Sequence, residues 1–289
     1  MADKSNIKVF ATDLDDTLLH ADLTVDAFDV FMLKKLQQSG VHVVLTSGRM
    51  CFDIQRTFDK IGLDKSDAYT VGGGGGEVVK VSTNEQLFSN RVSLEAAEIV
   101  TKYAKEHNYC AELYFDSTTI LGTQTNKHHQ YHSWSVNLQD RRVTYEEFLE
   151  ACKTQKPLKL FIVDDPEVVS TKLIPELSKL LPPTERAIIT KPFYCEVIPK
   201  DGSKSVGLSW LCENVYKCTM ANVFTMGDGG NDFEMIRDAG YSAVPSNATA
   251  EVKSVAKRVL EWSHEENAVG RAIDDFFFGG EEYPRFKRD

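Results

Sequence analysis

The chain has 289 residues, of which 42% are hydrophobic and 26% are charged. These values are typical of folded globular proteins and exclude a disordered or fibrous chain. The formal net charge of −10 at pH 7 disfavours binding to nucleic acid or to an anionic membrane. Since a domain has roughly 100–200 residues, the length predicts two domains.

The amino-terminal segment predicts a strand, a helix and a second strand. Residues 7–11 and residues 41–45 have the apolar pattern of buried strands. Between them lies a predicted helix that has Thr24 as its N-cap and ends at Gly40. This order predicts a parallel sheet with right-handed crossovers, in which ligands bind at the carboxyl ends of the strands.

From residue 85 the pattern changes to that of a mixed segment of helices and strands. Its predicted elements are a helix over 94–106, strands at 111–115 and 119–122, a helix after a capping box at Thr144, a strand at 158–163, a helix over 168–181 broken at Pro175, and a strand pair at 186–190 and 193–198. A parallel strand is predicted again at 223–226, and a core-covering helix at 251–258. The polar, glycine-containing residues 279–289 predict a frayed end.

We therefore predict an α/β fold with a Rossmann-like, doubly wound parallel-sheet core. Residues 1–84 and 191–289 form this discontinuous core, and residues 85–190 form an inserted α+β cap domain. We expect reduced, buried thiols without a ligand role, because no Cys-x-x-Cys pair occurs among Cys51, Cys110, Cys152, Cys195, Cys212 and Cys218. The chain shows no signal-peptide pattern and no bilayer-spanning apolar segment, which predicts a cytoplasmic location.

Two acids, Asp13 and Asp15, come directly after the first predicted strand. If the backbone stays extended there, residues i and i+2 point to the same side, so both carboxylates face one cleft. A carboxylate pair can bind a hard cation, and one member can attack phosphorus while the other transfers a proton. Taken alone, the pair also fits a helix cap or a solvated strand end.

Polar residues follow two further predicted strands. Ser47 and Gly48 follow residues 41–45, and the loop with Asp228, Asn231 and Asp232 follows residues 223–226. Lys204 lies in the first turn of a predicted helix, where a positive charge opposes the helix dipole. Neutralisation of a bound phosphate is the role that we expect for this lysine.

Four motifs in chain order resemble those of the haloacid dehalogenase superfamily, and specifically its Cof-like branch with a large α/β cap inserted after the second motif. They are Asp13-Leu14-Asp15-Asp16-Thr17-Leu18, Thr46-Ser47-Gly48-Arg49, Lys204 and Gly227-Asp228-Gly229-Gly230-Asn231-Asp232. The resemblance extends to residues 246–248 and 266–270 and so covers essentially the whole chain. It implies a phosphatase in which Asp13 attacks the phosphoryl group to form an aspartyl phosphate. Asp15 then protonates the leaving oxygen and activates water.

The resemblance also implies the ligands of this site. Mg²⁺ would be bound by the Asp13 carboxylate, the backbone carbonyl of Asp15 and Asp228, with Asp232 nearby. Phosphate contacts are implied for a second group of residues, Leu14 (through its amide), Ser47, Gly48, Lys204 and Asn231. The implied partner is a small phosphorylated metabolite, with sugar phosphates as the default and nucleotide or cofactor phosphates as alternatives.

Three departures from the family pattern stand out. Asp16 occupies a position often held by glycine, and Pro245-Ser246 replaces a common Met-Gly pair. Residues 72–76 are all glycine where an Asn-Gly pair is usual, which predicts either a mobile loop or a close approach to the site.

The polar stretch 123–134, with His128, His129 and His132, is a candidate pocket lining without a metal role.

Two other functions stay open at this point. A phosphomutase or phosphotransferase would use the same aspartyl phosphate but pass it to another hydroxyl group. A catalytically silent metabolite-binding protein is the second alternative, although the complete set of acidic residues disfavours it. The sequence predicts no particular oligomeric state.

Overall fold

The strands form two separate sheets, one in each of two units of the chain. The structure, a computed structural model, describes residues 4–115, 119–124 and 139–286. The first unit comprises Met1–Phe88 and Ser203–Asp289, and the second comprises Ser89–Gly202. The strands are β1 (Val9–Thr12), β2 (His42–Thr46), β3 (Tyr69–Gly72), β4 (Glu77–Lys80), β5 (Glu85–Ser89), β6 (Cys110–Tyr114), β7 (Thr119–Gly122), β8 (Gln139–Arg142), β9 (Lys159–Val163), β10 (Glu185–Lys191), β11 (Tyr194–Pro199), β12 (Val223–Met226), β13 (Tyr241–Val244) and β14 (Arg258–Val259).

Helices connect most of these strands. They are α1 (Ala27–Gln38), α2 (Cys51–Ile61), α3 (Leu94–His107), α4 (Tyr145–Thr154), α5 (Pro166–Val168), α6 (Ile174–Leu180), α7 (Lys204–Leu211), α8 (Phe233–Asp238), α9 (Ala250–Val255), α10 (Ala268–Ile273) and α11 (Glu282–Phe286). A π-helical turn, Val169–Leu173, joins α5 to α6, and Pro175 lies in the first turn of α6, so the helical segment continues through the proline and the predicted break does not occur there. None of the helices in the described ranges is long and apolar enough to span a membrane.

The sheet of the first unit has the order β14-β13-β12-β1-β2-β3-β4-β5. Strand β1 lies between β12 and β2 and is parallel to both, and all its residues are buried. Phe10 packs in a cluster with residues of α1, α2 and α10, whereas Val9 and Ala11 pack with residues of α7 and α8. Helices therefore cover both faces of this sheet, and the predicted doubly wound core is confirmed.

The sheet of the second unit has the order β10-β11-β9-β6-β7-β8 and is mostly antiparallel. Alternate residues of β6 and β9 pack in one cluster with residues of α3, α4 and α6. Two of the intervening residues are charged and pair with neighbouring strands: Lys159 Nζ lies 2.7 Å from Glu196 Oε1, and Glu112 Oε1 lies 3.2 Å from Arg142 Nη1. The inserted unit thus has the α+β character that the sequence predicts.

Unit boundaries in the structure differ from the predicted ones. Strands β10 and β11 pair with each other, and β11 pairs with β9 of the second sheet. The predicted boundary at residue 190 would separate β10 from its partner β11. In the structure both strands belong to the second unit, which continues to Gly202. At its start, the second unit begins at Ser89 rather than at residue 85.

Three further local predictions are wrong. Helix α1 has Asp26 rather than Thr24 as its N-cap, and the Asp26 side chain accepts a hydrogen bond from the Phe28 amide. The predicted helix over residues 251–258 ends at Val255, and Arg258–Val259 forms strand β14. Near the carboxyl terminus, α11 replaces the predicted frayed end because Tyr283 packs against the ring of Phe28.

Other local predictions are confirmed. The Thr144 hydroxyl and the Glu147 carboxylate form the expected capping box at the start of α4. All six cysteines are free and buried, as expected for reduced thiols. The stretch with His128, His129 and His132 lies outside the described residues.

A buried acid in α1 makes the stability of the first unit dependent on pH. Asp29 Oδ1 accepts a 2.6 Å hydrogen bond from the amide of Gly270, and burial raises the pKa of Asp29 to about 8. A carboxyl group whose pKa is higher in the folded chain favours the folded state at low pH. This contribution is complete below the unfolded pKa of about 4 and is lost as the pH rises towards 8.

We expect the free energy of unfolding to fall by about 1 kcal/mol per pH unit between pH 5 and pH 8, relative to the Asp29→Asn variant. Asparagine keeps the oxygen that accepts from Gly270 but cannot ionise. Urea denaturation of both proteins across this interval measures the difference. Parallel pH profiles for the two proteins would show that Asp29 does not titrate as its burial implies.

Candidate active site

The carboxyl ends of three neighbouring strands bring the predicted site residues together. Asp13 follows β1, Ser47 follows β2, and Asp228 lies two residues after the end of β12. The amide of Asp13 still donates a 2.9 Å hydrogen bond to the carbonyl of Met226, so β1 and β12 remain paired up to the site. Since parallel strands end at one edge of their sheet, side chains that are distant in sequence meet here.

Lys204 connects two of the carboxylates. Its Nζ lies 2.7 Å from Asp13 Oδ1 and 2.6 Å from Asp232 Oδ1, and its side chain is completely buried. Lys204 is the first residue of α7, whose N-cap is Ser203. The helix therefore places the ammonium group among the acids, where its charge is offset although it opposes the helix dipole.

The loop after β12 holds its own two acids in defined positions. Asp232 Oδ2 accepts hydrogen bonds of 3.0 Å from the amides of Asp228 and Gly229. Asp228 Oδ1 accepts a 2.8 Å hydrogen bond from the hydroxyl of Thr17. Sequence reasoning missed Thr17, although it lies within the first motif, two residues after Asp15.

The site contains more negative than positive charge. Burial raises the pKa of Asp13 well above its ordinary value, and repulsion from Asp232 and Asp228 adds to this despite the attraction of Lys204. Burial, followed by repulsion from Asp232, raises the pKa of Asp228 to about 7. For Lys204 burial alone would lower the pKa, but attraction by Asp13 and Asp232 outweighs it, so the amine remains protonated. A bound cation would relieve the repulsion among the carboxylates.

Three carboxylates fit a hard cation. One oxygen from each of Asp13, Asp228 and Asp232 lies within 4.8 Å of the others. Both oxygens of Asp232 already bind Lys204 or backbone amides, so Asp13 and Asp228 are the better candidates for direct ligands. Carboxylate oxygens in a charged, buried cluster are the donors that Mg²⁺ prefers.

Asp15 is not one of the three clustered carboxylates, and its side chain pairs with Arg49. Arg49 Nε donates a 2.9 Å hydrogen bond to Asp15 Oδ2, and Nη2 contacts Oδ1, so the pair is bidentate. Arg49 belongs to the second motif, but the sequence pattern does not predict this pairing. The side chain of Asp15 is 39% exposed, in contrast to the buried Asp13.

The loop after β2 has groups suited to an anion. Ser47 Oγ accepts a 3.0 Å hydrogen bond from the amide of Arg49, which leaves the hydroxyl hydrogen to donate. A Cβ on Gly48 would lie 3.8 Å from Asn231 Nδ2, so these two predicted phosphate contacts are adjacent. Leu14 is buried, and its carbonyl accepts hydrogen bonds from the amides that follow it.

Comparison with known proteins agrees with this geometry. A family model described as haloacid dehalogenase-like hydrolase matches residues 10–273, which is most of the chain. The chain belongs to the haloacid dehalogenase-like hydrolases. This match confirms the resemblance to Cof-like proteins that the sequence motifs indicated. The predicted enzyme class, a phosphatase, is confirmed as well.

Two relatives align with most of this hydrolase. YxeH of Bacillus subtilis is 26% identical over 270 residues, which are 93% of this chain and 97% of YxeH. The 5-amino-6-(5-phospho-D-ribitylamino)uracil phosphatase YcsE of the same organism is 24% identical over 271 residues, covering 93% and 95% of the two chains. A haloacid dehalogenase-like hydrolase from Bacteroides thetaiotaomicron has a similar fold, with a TM-score of 0.83, 24% identity and coverage of 94% and 100%.

One departure of this hydrolase from its family pattern has a simple structural reason. Asp16 has a φ of 57°, in the left-handed region where glycine is favoured and aspartate is among the better tolerated alternatives. Its carbonyl accepts a 2.8 Å hydrogen bond from Asn247 Nδ2. Aspartate at this position can therefore adopt the left-handed backbone conformation that glycine would adopt.

Proposed function

We propose that this hydrolase is a Mg²⁺-dependent phosphatase of small phosphorylated metabolites that uses Asp13 as its nucleophile. The observation that carries the proposal is the cluster in which Lys204 contacts the buried Asp13 and Asp232 while a carboxylate oxygen of Asp228 lies within 4.8 Å of an oxygen of each. Such a cluster combines a nucleophile, a cation site and a fixed positive charge, which are the groups that phosphoryl transfer requires.

The first step forms an aspartyl phosphate. An oxygen of Asp13 forms a bond to phosphorus while the bond from phosphorus to the ester oxygen breaks, and Asp15 gives its proton to that oxygen. Lys204, Ser47 and the Leu14 amide stabilise the charge on the phosphoryl oxygens, with Asn231 and Gly48 beside them. Mg²⁺, when bound by Asp13, Asp228 and the Asp15 carbonyl, supplies further positive charge at these oxygens.

The second step regenerates the enzyme. Asp15, now ionised, takes a proton from a water molecule whose oxygen attacks phosphorus. The bond between phosphorus and the Asp13 oxygen breaks, so that inorganic phosphate and the Asp13 carboxylate are formed. The two acids thus have different roles, and their environments differ accordingly, since Asp13 is buried beside Lys204 and Asp15 is partly exposed beside Arg49.

Sugar phosphates are the substrates that we propose first. The relative YcsE is named for a phosphorylated ribityl compound, and this name supports a substrate with a phosphorylated polyol chain. We assign substrate selection to the inserted unit, Ser89–Gly202, whose sheet carries the buried pair Lys159 and Glu196 on the side away from its helices. A cytoplasmic location for the enzyme remains a prediction.

Removal of divalent metal is expected to lower phosphatase activity roughly 10³-fold, because the metal contributes several kcal/mol of charge stabilisation. The measurement is phosphate release from sugar phosphates, nucleotides, pyridoxal phosphate and flavin mononucleotide, with EDTA and then with excess Mg²⁺. Mg²⁺ should restore the activity. Full activity in EDTA after exhaustive dialysis would contradict the metal requirement.

The same assay separates the alternative functions. With a hexose 1-phosphate, release of inorganic phosphate supports hydrolysis, whereas formation of the positional isomer supports a phosphomutase. Tight binding of a phosphorylated metabolite without turnover of any ester would support a silent binding protein.

A further inference from the structure

The run of glycines after β3 contacts the loop that carries Ser47. The amide of Gly73 donates a 2.7 Å hydrogen bond to the carbonyl of Arg49, and the amide of Gly74 donates a 3.0 Å hydrogen bond to the carbonyl of Ser47. The amide of Ser47 in turn donates a 3.0 Å hydrogen bond to the carbonyl of Val71. The glycine run is therefore hydrogen-bonded to the loop that carries Ser47. The sequence left open a mobile loop or a close approach to the site, and these hydrogen bonds favour the close approach.

The other side of the run contacts the start of α7. A Cβ on Gly75 would overlap the carbonyl group of Ser203 and lie 2.7 Å from the amide nitrogen of Lys204. In the reverse direction, a Cβ on Gly207 would lie 2.9 Å from the carbonyl oxygen of Gly75 and 2.7 Å from Val71 Cγ1. Gly75 also has a φ of +98°, which side chains disfavour. Backbone thus packs directly on backbone at this point.

The residue that Gly75 contacts, Ser203, directly precedes Lys204, which carries the buried ammonium group of the site. Lys204 is the first residue of α7, and its Nζ contacts both Asp13 and Asp232. An added methyl group on Gly75 would have to push the Ser203 carbonyl away by more than an ångström to reach ordinary van der Waals distance. Since Lys204 is completely buried, its side chain has little space in which to compensate.

We propose that Gly75 is a positioning residue, which sets the distance between the Ser47 loop and Lys204 and so the geometry of the phosphate site. The proposal rests on the proposed function, because it concerns residues to which that function assigns phosphate contacts. Close contacts explain glycine at two positions of the run, since a Cβ on Gly72 would lie 2.6 Å from the amide nitrogen of Cys51 and one on Gly75 would overlap the Ser203 carbonyl. Gly73 and Gly74 have φ values of +61° and +70°, which side chains disfavour.

The test compares Gly75→Ala with Gly40→Ala. Gly40 has a similar φ of +90°, but a Cβ there would meet nothing within 4 Å, so the control carries the backbone strain without the contact. We expect Gly75→Ala to lower kcat/KM about 100-fold, as for a displacement of about 1 Å. It should also raise the inhibition constant of inorganic phosphate roughly tenfold, through a weakened charge-assisted contact. Gly40→Ala should stay within about threefold of wild type in both quantities.

The inhibition constant distinguishes positioning from general damage to the fold, because destabilisation alone leaves phosphate affinity unchanged below the melting temperature. If Gly75→Ala does not fold, Gly207→Ala presses on the same contact from the helix and should raise the same constant severalfold. Wild-type phosphate affinity and kcat/KM in a folded Gly75→Ala or Gly207→Ala protein would overturn the proposal. In that case an active wild type and an inactive Asp13→Asn variant would leave the proposed function intact, whereas a wild type without phosphatase activity would remove both.

Discussion

Replacement of Asp13 by asparagine is expected to lower kcat about 10⁵-fold, because the amide cannot act as the nucleophile that forms the phosphoryl bond. The change is close to isosteric, and it removes one negative charge from a cluster in which burial and repulsion raise the pKa of Asp13. Lys204 keeps its contact with Asp232. We therefore expect the variant to fold at least as stably as the wild type, so that loss of activity reports on chemistry.

Asp16→Asn is the matched control for this variant. The substitution is identical and lies three residues away, and asparagine tolerates the φ of 57° as well as aspartate does. The group that Asn247 contacts is the backbone carbonyl of Asp16, which the substitution leaves in place. Steady-state kinetics with Mg²⁺ should show near wild-type kcat for this control. Substantial metal-dependent turnover by Asp13→Asn would rule out the nucleophile assignment.

Replacement of Asp15 by asparagine is expected to separate the two steps of the reaction. With p-nitrophenyl phosphate the leaving group departs without a proton, so the first step should continue. Hydrolysis of the aspartyl phosphate should slow roughly 10³-fold, because no group remains to activate water. Stopped-flow absorbance should then show a burst of about one p-nitrophenolate for each enzyme molecule, followed by slow turnover.

The fold should tolerate this second variant. Asp15 forms a bidentate pair with Arg49 in which both side chains are partly exposed, and asparagine keeps one oxygen that can accept a hydrogen bond from Arg49, so the loss should be about 1 kcal/mol. A small shift in the thermal midpoint is therefore expected. Wild-type turnover, or equal slowing of burst and steady state, would assign the proton transfers to another residue.

The site was predictable to the extent that it depends on strand ends. The buried pattern of β1 and β2 and the parallel order of the strands place Asp13, Ser47 and Asp228 at one edge whatever their side-chain conformations. The pairing of Arg49 with Asp15 was not predictable in this way, because it depends on the rotamer of the long Arg49 side chain. The same holds for the hydrogen bond from Thr17 to Asp228, which closes between residues far apart in sequence.

Two errors in the fold prediction have a common cause. Both local structures depend on tertiary contacts that cannot be inferred from the local sequence pattern. Val259 lies at helical spacing from Val252 and Val255, yet it pairs with Val244 in the sheet. The end of the chain looks polar, but the aromatic side chains of Tyr283 and Phe286 pack on Phe28 of α1. In each case packing partners distant in sequence decide the local structure.

The most direct test of Asp13 as the proposed nucleophile is to locate the phosphoryl group during turnover. The Asp15→Asn variant is mixed with p-nitrophenyl phosphate and Mg²⁺, stopped with acid during the burst, digested and analysed by mass spectrometry. One phosphoryl group on the peptide that contains Asp13, absent when Asp13 is also replaced by asparagine, is the predicted result. A burst without phosphorylated peptide, or a phosphoryl group on another residue, would contradict the assignment of Asp13 as the nucleophile.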